Sequence, residues 1–259
     1  MSVQPEPVRI QRPGIFWHVR KRWQAMFRAL RHAANRLAGR LPGPVRAALE
    51  TPVAYADMLL LDHGIFRLAY LNAHRLGGAA IRSAQPSPFD LRRFADVGVR
   101  TVLNLRGPRD CGSYRLEQKA CAAHGLALVD FPLGSRAAPS RVTIHAAARL
   151  FDGVAYPMLM HCKSGADRAG LMAVLYLHLK ERVPMREAVR QLSWRFGHFR
   201  NADTGILDAF FDSYLAFDAK TPIAFLDWVD THYDPAVLKR DFRASGWVSL
   251  LVGGLLQRE

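Results

Sequence analysis

A cysteine and an arginine with five residues between them stand in MLMHCKSGADRAGLM, residues 158–172. An apolar run, YPMLM (156–160), precedes the cysteine, and a helical pattern, AGLMAVLYLHLKE (169–181), follows the arginine. The run reads as a short buried strand and HCKSGADR as the turn that enters the helix. In an open α/β sheet, ligands bind beyond the carboxyl ends of the strands. The first amides of a helix lack intrahelical partners, and together with the helix dipole they attract an anion. Gly165 lets the turn bend where a side chain would clash. Arg168 presents a planar fork that matches two oxygens of a phosphate. The same positive field favours the anionic form of the Cys162 sulfur, the form that attacks. Five intervening residues leave room for a tetrahedral dianion among successive amides. The chemistry these parts fit is a two-step phosphoryl transfer through a cysteinyl-phosphate, completed by water. A lone buried cysteine is more often an inert small hydrophobe; here His161, the strand, the glycine and the helix argue for the reactive reading.

The elements that must position this turn are legible as an alternation. PFDLRRFADVG (88–98) reads as a helix opened by Pro and stopped by Gly98, and VRTVLNLRG (99–107) as an apolar strand. YRLEQKACAAHG (114–125) reads as a helix, LALVDFPL (126–133) as a strand, GSRAAPS (134–140) as a loop and RVTIHAAARLFDG (141–153) as a helix. After the central helix come PMREAVRQLSWRFG, GILDAFFDSYLAF and PIAFLDWVDTHYD, each read as helical, and a short PAVLKRDFRAS. Strands alternating with helices predict an α/β fold, a central parallel-rich sheet flanked by helices. Residues 52–62 are apolar and read as helical. No internal repeat is present.

With 259 residues the chain has room for one sizeable core and an extension. Half of it is apolar, which excludes a disordered chain. The net charge of +14 is uneven: residues 1–50 hold ten Lys/Arg against Glu6 and Glu50, a net +8. Within them, residues 15–41 read as a basic amphipathic helix. Phe16, Val19, Trp23, Met26, Phe27, Leu30, Ala34, Leu37 and Leu41 form an apolar stripe, with arginines and Lys21 opposite. Such a helix suits an anionic lipid interface, and docking on the domain with solvated charges is the plainer alternative. No nucleic-acid motif is present, so no nucleic-acid partner is expected. Three cysteines, Cys111, Cys121 and Cys162, are too few and too scattered for a disulfide framework or a zinc site, and fit a reducing compartment. No signal peptide is read, and no apolar run reaches the roughly 20 residues of a spanning helix; WVSLLVGGLL (247–256) is the longest. The expected location is cytoplasmic, peripheral at the inner face of a membrane. The expected division is an arm over 1–50, a catalytic domain over 51–215 and a helical extension over 216–259.

HCKSGADRAG resembles the HCx5R signature loop of the cysteine-dependent protein tyrosine phosphatase superfamily, in its atypical dual-specificity-like branch. IRSAQPSP and TVLNLRG also resemble segments of that branch, and the resemblance covers roughly residues 63 to 215. It implies a cysteine phosphatase fold and a phosphomonoesterase that needs no metal and no cofactor. Cys162 would be the nucleophile and Arg168 the phosphate clamp. Lys163, Ser164, Gly165, Ala166, Asp167 and Arg168 would supply amides, and His161 would orient the loop.

Two departures from the family pattern stand out. Many members carry Ser or Thr after the arginine, where this chain has Ala169, so thiolate departure in the second step lacks that hydroxyl. The loop that normally carries the acid, GSRAAPS, has none. Asp167, inside the cradle, is the leading candidate acid, with Asp130 as the alternative; as a plain helix-start carboxylate Asp167 would serve structure alone.

Further candidates surround the loop. Arg106, at the end of a strand, is a substrate contact or a brace for the loop. Lys163 favours a polyanionic substrate, and Arg136 lies in the acid-less loop. His198 and Arg200, in FGHFRNADTG (196–205), line a rim or merely link two helices. Cys111 or Cys121 would be the partner if an oxidised Cys162 were trapped as a disulfide. The basic arm and the Lys and Asp of the cradle point to a phosphorylated lipid or glycolipid at a membrane surface as substrate. The alternatives are a phosphoprotein, a soluble phosphate, or a phosphate-binding module that turns over poorly.

Overall fold

The computed structural model describes residues 42–62 and 64–243, together with seven positions between 26 and 40. The basic helix expected over 15–41 therefore lies mostly outside the described residues, as does the apolar segment 247–256. Met26, Ala29, Ala33, Arg36, Leu37 and Gly39 are helical, and the two stripe residues among them, Met26 and Leu37, are exposed.

Five strands form one sheet: β1 His74–Leu76, β2 Ala80–Ala84, β3 Thr101–Asn104, β4 Ala127–Asp130 and β5 Met158–Cys162. Their order is β1-β2-β5-β3-β4, with β1 antiparallel to β2 and every other pair parallel. This is the expected parallel-rich α/β fold. All five residues of β5 are buried, as a central strand covered on both faces requires. The alternation of a pleated strand then sorts its side chains. Met158 and Met160 join the larger core, and Leu159 joins a smaller one on the other face with Leu91, Val99, Val102 and Leu126.

Among the described residues, the helices with defined bounds are α1 Gly43–Ala56, α2 Gly64–Ala69, α3 Pro88–Asp96, α4 Gly112–Ala123, α5 Arg141–Gly153, α6 Asp167–Leu179, α7 Met185–Ala188, α8 Ile206–Asp218 and α9 Phe225–Thr231. A tight π-helical turn, Asp57–Leu61, follows α1. Helix α3 starts where Ser87 and Asp90 cap each other reciprocally: Asp90 N donates to Ser87 Oγ at 3.2 Å and Ser87 N to Asp90 Oδ2 at 2.9 Å. Helix α6 is buried from Ala169 through Tyr176, the burial of a helix apolar on every side. Phe210, Tyr214, Phe225, Trp228 and Tyr233 pack ring to ring, so the larger core runs from α8 into α9 and the residue beyond it.

Three local expectations are corrected. Helix α1 begins at Gly43, just after Pro42, and not near residue 52. Strands β1 and β2 were not foreseen, because the small residues and Arg82 of AIRSA lack a strand's apolar alternation. PMREAVRQLSWRFG is not one helix: α7 gives way to 3₁₀ turns at Val189–Gln191 and Trp194–Phe196. Tertiary bonds win over helical continuity here, since the segment delivers the carbonyls of Gln191 to Arg82 and of Phe196 to Asn72.

Candidate active site

Cys162 is the last residue of β5, at the carboxyl edge of the sheet. It pairs with Ala84 of β2, while its neighbour His161 pairs with Asn104 of β3, which in turn pairs with Asp130 of β4. The thiol is almost fully buried, and none of the three cysteines is in a disulfide. The chain turns at Gly165, whose φ is +73°. A Cβ there would stand 2.6 Å from the Ala84 amide nitrogen and 2.8 Å from the Ser83 carbonyl carbon, so glycine is required both by conformation and by space.

The loop is an amide cradle because its carbonyls are held outward. Lys163 O accepts from the Gln85 amide at 3.5 Å, and Ser164 O accepts from Asn72 Nδ2 at 3.0 Å. Arg82 Nη2 donates to Gly165 O at 2.6 Å and to Ala166 O at 2.9 Å. In a planar trans peptide the C=O and N–H point opposite ways. Four pinned carbonyls therefore turn the amides of Ser164, Gly165, Ala166 and Asp167 to the other side, which is an anion-binding nest. Arg82 is fully buried in β2, and its Nη1 is anchored on Gln191 O at 2.6 Å and Gln191 Oε1 at 2.9 Å. Burial lowers its pKa to about 10, which leaves it charged at neutral pH. Arg168 is half-buried at the start of α6 and brings Nη1 to the Leu105 carbonyl at 3.5 Å.

On the N-terminal side, a buried polar chain supports the cradle. His161 Nε2 lies 2.5 Å from Glu117 Oε1, with both side chains fully buried. Glu117 Oε2 accepts from Gln85 Nε2 at 3.0 Å, and Gln85 Oε1 accepts from Arg106. Arg106 makes a bidentate pair with Asp62, at 2.7 and 2.9 Å. Asp62 also accepts from Ser113 Oγ at 2.7 Å, pairs with Arg67 at 3.2 Å, and meets Lys163 Nζ of the cradle at 3.4 Å. Burial alone would raise the Asp62 carboxyl, but the Arg106 hydrogen bond and the surrounding cations hold it far below the carboxylate range. Of the two roles expected for Arg106, substrate contact or brace, the contacts favour the brace: its guanidinium is buried and engaged by Asp62 and Gln85.

On the other side, Asp167 Oδ1 lies 2.8 Å from His198 Nδ1, and His198 Nε2 lies 2.7 Å from Asp208 Oδ2. Burial would drive the His198 proton off, but hydrogen bonds to two carboxylates raise it to about 9. The ring thus carries both protons at neutral pH and donates in both directions. Asp130, the alternative acid, accepts from Asn104 Nδ2 at 2.7 Å and from Tyr114 OH at 2.5 Å. Ala169 is fully buried, Arg136 pairs with Asp203 at 3.8 Å on an exposed stretch, and Arg200 pairs with Asp212.

The structure thus gathers Cys162, His161, Lys163, Ser164, Gly165, Ala166, Asp167 and Arg168 into one loop. Sequence reading missed Asn72, Arg82, Glu117 and Asp62, and left His198 as a rim or a linker. An arginine inside a strand of small residues was the one signal available for Arg82. No local signal marks the others, which reach the loop only through the fold.

Among solved structures, TpbA from P. aeruginosa is similar at 18% identity and a TM-score of 0.48, over 62% of this chain and 89% of that one. Tk-PTP is similar at 20% identity and a TM-score of 0.42, over 55% and 98%. PTPMT1 is similar at 19% identity and a TM-score of 0.42, over 57% and 99%. A search of curated proteins gave no match. The model of the family described as DSP-PTPase phosphatase fused to NAD+ kinase matches residues 73–204, about half of the chain, from β1 through the cradle to the turn before α8. With that match, the chain belongs to this family of DSP/PTP-type phosphatases.

Proposed function

We propose that the protein hydrolyses phosphate monoesters through a cysteinyl-phosphate, with no metal required, and that its substrate is a phosphorylated lipid or glycolipid at an anionic membrane surface. The observation that carries the chemistry is the set of pinned carbonyls: Gln85, Asn72 and Arg82 turn four consecutive amides toward one side, above a buried cysteine. In the first step Cys162 Sγ attacks phosphorus, the ester P–O bond breaks, and Asp167 protonates the leaving oxygen. The amides and Arg168 stabilise the charge on the three equatorial oxygens. In the second step water attacks phosphorus, the S–P bond breaks, and the proton returns to Asp167. Ala169 offers no hydroxyl to the departing sulfur, so this step limits turnover.

The lipid reading is supported by the net +8 of residues 1–50. It is supported also by Trp194 and Phe199, which are 76% and 62% exposed on the segment that meets the cradle through His198 and shares Asn72 with it. Exposed aromatics suit a bilayer interface.

Phosphate release tests both parts. Cys162→Ser is expected to lose at least about 10⁴-fold of the turnover, the scale of a missing covalent nucleophile; full retention would remove the cysteine mechanism. Vesicles carrying phosphorylated lipid are expected to turn over faster than a phosphotyrosyl peptide. Replacing Arg20, Lys21 and Arg22 by Glu is expected to slow the vesicles alone. A faster peptide, indifferent to those changes, would make this a phosphoprotein phosphatase.

A further inference from the structure

We infer that His198, held by Asp208, is the positioning residue for the leaving-group acid: it orients the Asp167 carboxyl over the cradle and balances the charge that Asp167 acquires on giving up its proton. This rests on the reading of Asp167 as the acid. His198 is 2% exposed and both its ring nitrogens are engaged, so it reaches the reaction only through Asp167. Asp167 is engaged through Oδ1, which leaves Oδ2 for the leaving oxygen.

The loop that carries His198 is built onto the cradle. Gly197 adopts a φ of +78°, and a Cβ there would stand 3.7 Å from the Ala166 Cβ. Asn72 donates one side-chain amide to Ser164 O of the cradle at 3.0 Å and to Phe196 O of the His198 loop at 2.9 Å. One buried side chain therefore fixes the spacing between acid and phosphate site. The charged groups facing His198 are Asp167 from α6 and Asp208 from α8; Arg200, on its own loop, is paired with Asp212.

The proton balance is closed. As the Sγ–P bond forms and the P–O bond breaks, the electron pair stays on the leaving oxygen, which takes the proton from Asp167. The carboxylate left behind faces the imidazolium at hydrogen-bond distance, where opposite charge is favoured. When water attacks phosphorus, Asp167 takes the proton back and the electron pair of the S–P bond returns to sulfur. Asp208 holds the Nε2 side of the ring throughout, the role of a third group that orients a catalytic pair.

A loop tie with no part in proton transfer would slow all substrates alike; a positioning residue for the acid would not. The test compares full-length wild type, His198→Asn and Asp208→Asn on 4-nitrophenyl phosphate, whose phenolate leaves unaided, and phenyl phosphate, whose phenolate needs the proton. The expected result for His198→Asn is a fall of at least about 10-fold in the limiting kcat/KM for phenyl phosphate, within the range acid catalysis supplies. The loss on 4-nitrophenyl phosphate should be several times smaller. Asp208→Asn, which preserves size and an acceptor for the ring, should show the same pattern more weakly. Equal losses on the two substrates would overturn the inference. Asp167→Asn run alongside separates the two levels. If it discriminates between the substrates and His198→Asn does not, only the role of His198 falls; if it does not discriminate, the acid assignment falls and this inference with it.

Discussion

Two buried ionic networks reach the cradle, one from residues 57–67 and the other from residues 198–208, and their charge balances are opposite. In the first, the carboxylate of Asp62 is met by Arg106, Arg67 and Lys163. In the second, a single cation, His198, lies between the carboxylates of Asp167 and Asp208. Arginine does not titrate near neutrality, and Asp62 is held ionised far into acid, so the Asp62–Arg106 pair keeps its charges across the neutral range. Imidazole is the side chain whose charge changes near neutrality, so the second network can exchange a proton. The contrast separates a fixed brace from a proton-handling arm on either side of one loop.

The brace should show the larger effect on stability. Asp62→Asn leaves Arg106 as a buried cation without its counter-charge, and a loss of about 4 kcal/mol in unfolding free energy is expected from chemical denaturation. A loss below about 1 kcal/mol would mean that Gln85 and Ser113 carry the brace alone. The pH response of this network has a definite sign. A carboxyl lowered in the folded state stabilises above its ordinary value near 4 and loses that contribution as the pH falls below it, so its effect appears only in acid.

The His198 network should respond at the other end of the scale. A ring raised from 6.5 to about 9 contributes its full stabilisation below pH 6.5 and loses it as the pH rises through 9. Wild-type unfolding free energy is therefore expected to fall by up to about 3 kcal/mol between pH 6.5 and 9.5. His198→Asn should flatten that decline. An unchanged slope in the variant would show that some other group titrates there.

The smallest effect belongs to the link between the brace and the cradle. The Lys163 side chain is 43% exposed and 3.4 Å from Asp62, so Lys163→Met is expected to cost less than about 1 kcal/mol. A cost equal to that of Asp62→Asn would make the two residues one unit and erase the distinction between brace and cradle.

How much was legible follows the range of each interaction. The boundaries of α5 were read residue for residue, since Ser140 caps it locally and Val154 turns extended at its end. Strands β1 and β2 were not read, because their order comes from pairing with β5 and not from an apolar alternation of their own. The segment after Pro184 carried a helical pattern, yet it breaks at Leu192 to satisfy Arg82 and Asn72, which lie more than a hundred residues earlier.

By itself the sequence laid out the parts of the loop: a strand, a cysteine, a glycine turn, an arginine and a helix start are consecutive, and the amides proposed to bind an anion belong to the same few residues. Only the tertiary structure decided which way those amides face, through Asn72, Arg82 and Gln85, and which carboxyl is served by a protonated histidine, through His198 and Asp208. The reason is one of distance along the chain. A turn forms from neighbours, whereas a carbonyl is pinned or a proton retained only by groups that burial brings together from remote segments, where low dielectric makes each such contact strong.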